Sequence, residues 1–154
     1  MTSDVSLKGK LQSDLNGAIK SRNTVVAETI RMVLSAITNE EVAGKEKREL
    51  SDAEVITVLT REAKTRREAA EAFENGGRAD RAAAERAEGE VIASYLPEQL
   101  SEDEIKKLIA ETIAAVGAAG PSDMGKVMGS LKAKVAGKAD GALVSSLVKE
   151  ALNK

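Results

Sequence analysis

The chain has 154 residues, 42% apolar and 31% charged, with a formal net charge of −2, enough for one ordinary domain or two small ones. It holds no Cys and no His, which excludes disulfides, Cys/His zinc sites and Ser-His-Asp or Cys-His catalysis. With one Phe, one Tyr and no Trp, the core must be Leu, Ile, Val, Met and Ala, and any platform for stacking bases could draw only on Phe73 and Tyr95.

Helical periodicity then runs through most of the chain. Leu7, Leu11, Leu15 and Ala18 fall on one stripe of a first helix. Ser21-Arg22-Asn23 ends it, and a second helix is expected from Thr24 to about Val42. Val26, Ile30, Val33, Leu34 and Ile37 make one stripe there; Val25, Met32 and Ala36 make another. A helix apolar on two sides should lie at the centre of its domain. Gly44 and the charged run Lys45 to Glu49 read as an exposed loop.

Ser51-Asp52-Ala53-Glu54 is a capping box that opens a third helix. Val55, Val58, Leu59, Ala63, Ala69, Ala70 and Phe73 line its apolar side, and Gly76-Gly77 stops it. The fourth helix is expected from Ala79 to Leu96, with Arg81/Glu85 and Arg86/Glu90 as internal ion pairs. Pro97 has no backbone N–H and biases Leu96 away from helix, so the chain breaks there.

A second capping box, Ser101 to Glu104, opens a fifth helix carrying Ile105, Leu108, Ile109, Thr112, Ile113 and Val116. The sixth carries Met124, Val127, Met128, Leu131 and Val135; the seventh carries Leu143, Val144, Leu147, Val148 and Ala151. Gly117, Gly120 and Pro121 separate the first two of these, and Gly137 the last two. No alternating strand pattern appears. The fold class is all-α: an N-terminal helical domain of about four helices over residues 1–96, then a three-helix domain over 97–154.

Charge is uneven along the chain. Residues 118–154 hold six Lys and three acidic residues, and no Arg lies beyond Arg86. Lys126, Lys132 and Lys134 fall on the sixth helix, Lys126 and Lys134 beside one edge of its apolar stripe and Lys132 beside the other. Lys138 sits in the Gly137-Lys138-Ala139-Asp140-Gly141 turn, where Gly137 suits a left-handed residue and Asp140 a helix cap. Lys138 has no such structural explanation. Gly125 and Gly129 lie four apart inside the sixth helix, against local propensity. They mark either close approach of a neighbouring helix or an exposed backbone groove for a phosphate or a protein. Met124 and Met128 read as core, with a flexible partner surface as the alternative. Glu62 and Arg66 sit four apart, either as an ion pair at the core edge or as a polar pair between the two domains or at a partner surface.

No catalytic constellation, cofactor motif or metal-ligand set emerges. No signal peptide and no run of 18 uncharged apolar residues is present. The expectation is a cytoplasmic protein without membrane, metal or cofactor.

Several segments together identify a resemblance: Ile30-Arg31-Met32-Val33 with Asn39-Glu40-Glu41, Arg61 to Arg67, Phe73 to Arg78, Tyr95-Leu96-Pro97-Glu98-Gln99-Leu100, Asp123 to Gly129 and Gly137 to Gly141. The chain resembles the YqeY family, the GatB/YqeY-domain proteins, along essentially its whole length. The resemblance implies two helical domains split near Pro97. It also implies that the second is similar to the C-terminal tail of the B subunit of glutamine-dependent aminoacyl-tRNA amidotransferase, a tail that helps hold tRNA. Neither that subunit's catalytic domain nor its partner's serine amidase is represented here. The expectation is a non-catalytic accessory protein for tRNA or structured RNA, with Lys126, Lys132, Lys134 and Lys138 on phosphates. The alternatives are a helical protein-binding adaptor that uses the Gly125/Gly129 groove, and, from the family label alone, a carbon–nitrogen ligase.

Overall fold

The structure is a computed structural model and describes residues 6–153. Among the described residues all regular structure is helical, with no strand. The chain divides into two compact units at the Leu96–Pro97 boundary.

The first unit contains α1 (Leu7–Lys20), α2 (Thr24–Glu41), α3 (Asp52–Asn75) and α4 (Ala79–Ala93). Side chains of Ser6 and Asn23 cap α1 and α2 by accepting from Gly9 N–H and Val26 N–H. The Ser51/Glu54 capping box forms with both of its hydrogen bonds in place. α2 packs against α1, α3 and α4, so it is the central helix that its two apolar sides require. Leu11, Ile30, Val33, Ile37, Val55, Leu59 and Ile92 form the buried heart, with Met32 and Ala36 packed against it. Val25 departs from the expected second stripe and is 47% exposed, on the side of the first turn of α2 opposite the buried Ala27.

α3 and α4 form the most extensive helix pair of this unit. Ala70 and Ala82 are both buried. The connection is a Schellman turn: Gly77 takes φ +76°, Arg78 N–H bonds Phe73 C=O at 2.7 Å, and Gly77 N–H bonds Glu74 C=O at 3.1 Å. α4 stops at Ala93, three residues short of the expected end. Ser94 Oγ donates to Val91 C=O at 2.6 Å, and the phenol of Tyr95 donates to Asp14 on α1. The expected pairs along α4 do not form. Arg81 lies over the Phe73 ring, 5.4 Å from its centroid, Arg86 pairs with Glu74, and Glu85 turns to Arg66.

Glu41, at the end of α2, is 3% exposed. Its carboxylate accepts from the Lys8 ammonium at 2.9 and 3.0 Å and from Leu50 N–H at 3.3 Å. These bonds, that from Lys8 foremost, hold its carboxyl below the ordinary value in spite of burial. The loop after α2 is thereby pinned under Leu50.

The second unit contains α5 (Glu102–Val116), a single 3-10 turn (Pro121–Asp123), α6 (Met124–Val135) and α7 (Gly141–Leu152). The Ser101/Glu104 capping box is complete, and α5 ends on Gly117 at φ +68°. Each of the three helices packs on the other two. Ile105, Ile109, Val127, Leu131, Val144 and Val148 form the core, with Met124 and Met128 packed against it. Thr112 is buried and donates to Leu108 C=O at 2.7 Å, which satisfies its hydroxyl inside an apolar stripe. Leu143, expected in the core, is 37% exposed; Leu152, directly after the expected stripe, is buried.

Candidate nucleic-acid interface

α6 presents its apolar stripe inward and a face of small and basic residues outward. Gly125, Lys126, Gly129, Lys132, Ala133, Lys134 and Ala136 are all exposed. Apart from the helix's own adjoining backbone, no atom of the described residues lies within 4 Å of where a Cβ would stand on Gly125 or Gly129. Close approach of a neighbouring helix at these glycines is therefore not what the structure makes. The apolar stripe holds α6 to its unit and leaves the glycine flank facing open space.

Lys126, Lys132 and Lys134 project from this helix, and Lys138 from the turn that follows it. All four are exposed, and among the described residues none makes an ion pair. Lys132 and Lys134 lie in the last turn of α6, where the helix dipole favours cations. At the other end, Asp123 accepts from Ala119 N–H at 2.8 Å. That bond first, then one from Gly120 N–H and the charge of Lys126, keeps its carboxyl below the ordinary value.

The turn carrying Lys138 is braced from a direction its own sequence does not reveal. Gly137 adopts φ +72°. Leu100 N–H donates to Lys138 C=O at 2.9 Å, and the Gln99 amide donates to Gly137 C=O at 2.7 Å and Pro97 C=O at 2.8 Å. Asp140 caps α7 by accepting from Ala142 N–H. The backbone under Lys138 is thus fixed while its ammonium stays free of ion pairs, the arrangement that a positioning contact to phosphate needs.

Glu62 and Arg66 form a second, separate constellation on α3. Their 3.4 Å ion pair exists, but Arg66 also meets Glu85 at 3.7 Å and Glu88 at 3.4 Å, both on α4. Arg66 Nη2 reaches Met32 Sδ as well. Arg66 Nε and Glu85 Oε2 are buried without a hydrogen bond, so these charge contacts are what hold them. Burial and the neighbouring Glu85 carboxylate push Glu88 above the ordinary carboxyl value, against the pull of Arg66. The geometry is an ion-pair seam between α3 and α4. Sequence spacing gave only the local partner Glu62; Glu85 and Glu88 lie across the hairpin.

Among the described residues no group of three or more acidic side chains is arranged to hold a metal ion, and no helix is long and apolar enough to cross a membrane.

The chain is similar to a protein named altered inheritance of mitochondria protein 41, mitochondrial, from Pyrenophora tritici-repentis. They are 28% identical over 92% of this chain and 78% of that one. A protein of the same name from Clavispora lusitaniae is 33% identical over 73% of this chain and 66% of its own length. An uncharacterized protein of Schizosaccharomyces pombe is 32% identical over 62% of this chain and 76% of its own. The mitochondrial names overturn the expectation of a cytoplasmic protein. That expectation rested on reading no signal peptide and no long apolar run in the sequence, features that do not tell the cytoplasm from the mitochondrion. The model of the family described as Yqey-like protein matches residues 8–152, so the chain belongs to the YqeY family.

Proposed function

We propose that the chain is a non-catalytic accessory protein for tRNA or structured RNA, related to aminoacyl-tRNA amidotransferase through its second unit. One observation carries the reading: α6 and the turn after it carry four exposed lysines without ion pairs, Lys126, Lys132, Lys134 and Lys138, and Lys126 and Lys132 border the open glycine flank of α6. Ammonium groups at the edges of a flat helix face suit phosphates that approach the backbone closely, by charge and shape and not by base reading. The lack of Cys and His and of a G-x-x-x-x-G-K-[ST] phosphate loop supports a role without turnover of its own.

The test is a titration of total tRNA at several salt concentrations. With about four phosphate contacts, affinity is modest and the log–log salt slope is on the order of −3. Replacing all four lysines with Gln removes most binding and leaves helicity and melting temperature nearly unchanged, since every position is exposed. Equal binding by the quadruple variant, or none by the wild type at low salt, refutes the RNA reading. The second reading, a protein-binding adaptor, draws on the same open Gly125/Gly129 face and would then take its place.

A further inference from the structure

The apolar surface of the 97–154 unit is not used up in its own core. An open groove of about 390 Å³ lies between α5 and α7. Half-buried Ile113 and Ala151 and exposed Ala110 present its apolar surface, over the buried Ile109 and Leu147. Leu143, one turn before Leu147 on α7, is 37% exposed and extends the same side. Leu143 is the part of the α7 stripe that its own unit leaves uncovered.

Two charges of opposite sign flank the groove, Lys106 from α5 and Glu150 from α7. Both are exposed, and among the described residues neither pairs with the other or with any third group. The unit holds eight Lys, no Arg and eight Asp/Glu, so two copies meet without net repulsion. An apolar floor flanked by one cation and one anion complements itself under a two-fold axis. Lys106 of one copy then faces Glu150 of the other, and the reverse contact forms at the symmetric position.

We infer that the α5/α7 groove seats a second copy of this chain, in a two-fold dimer held by an apolar centre and two reciprocal Lys106–Glu150 pairs. The surface is distinct from the lysine-bearing face of α6, so self-association and RNA contact are separable properties.

Sedimentation equilibrium of the full chain over a range of concentrations tests this. The wild type shows a reversible dimer. K106E and E150K each set like charges against one another at two symmetric points, which weakens dimerisation about tenfold or more. The double variant K106E/E150K restores both pairs in reversed polarity and recovers the dimer. Far-ultraviolet circular dichroism of all four proteins should coincide, because both positions are exposed; A110E, which puts a charge in the centre of the groove, gives an independent route to the monomer. A monomeric wild type at the highest concentration, single reversals without effect, or a double variant no better than the singles would each overturn the dimer. So would variants that lose tRNA affinity with no change in mass, since the groove would then serve RNA.

Discussion

At Arg66 one guanidinium meets the carboxylates of Glu62, Glu85 and Glu88, and the excess of negative charge has a pH signature. Burial first, then Glu85, raises Glu88, with Glu28 adding to the effect and Arg66 opposing it. A carboxyl raised in the folded state binds its proton more readily folded than unfolded. Glu88 therefore adds stability as pH falls from neutrality toward the ordinary carboxyl value of 4.5. Glu41 has the opposite sign: its carboxyl is lowered, so its contribution is complete above 4.5 and fades as pH falls below it. Urea midpoints of wild type and Glu88→Gln, compared between about pH 7 and 5, should separate in favour of the wild type on acidification; parallel curves would deny the raised carboxyl. Gly129 yields a second prediction. No described atom outside the adjoining helix backbone stands within 4 Å of its missing Cβ, so Gly129→Ala should stabilise the second unit by about 1 kcal/mol. A variant that is more stable yet binds less RNA shows that the bare backbone serves the surface and not the fold.

Among the elements, the helix starts are the most local features and were the most legible. Ser51 and Ser101 each bond the N–H of the Glu three residues on, and both partners lie within one turn of sequence. Ser101→Ala should cost about 1 kcal/mol, read as a lower thermal midpoint of the second unit; no change would mean that water replaces the cap. Leu131→Ala, at a position with no exposure, should cost about 2–5 kcal/mol in the same assay. Features that depend on distant partners were not legible. The burial of Glu41 is offset by Lys8, 33 residues away, and Tyr95, just past the end of α4, bonds Asp14, 81 residues back. Leu143 obeys the α7 spacing but has no neighbour to cover it, since a period defines a side and not what packs on it. The candidate lysines were found by composition and position. The brace from Gln99 and Leu100 to the Lys138 turn joins segments 38 residues apart and leaves no periodic trace.

For the whole molecule, the division at Leu96–Pro97 has separate apolar cores on its two sides. We propose that each is an independently folding domain. Residues 97–154 expressed alone should be helical and melt cooperatively, and limited digestion of the full chain should release a fragment that begins near residue 97. Gln99 and Leu100 are tied into the second unit, so the susceptible bonds lie just before them. A disordered fragment would show that the second unit depends on the first. The scarcity of aromatic residues has a consequence of another kind. Tyr95 and Phe73 are the only two rings in the chain, and both precede the boundary. A phenol bonded to a carboxylate, as Tyr95 is to Asp14, emits weakly and brightens on release. Intrinsic fluorescence therefore watches the first unit alone, while peptide absorption watches both. The molecule carries its own optical label on one side of the division and is dark on the other, so unlinked melting, or an event confined to residues 97–154, can be seen without any added dye.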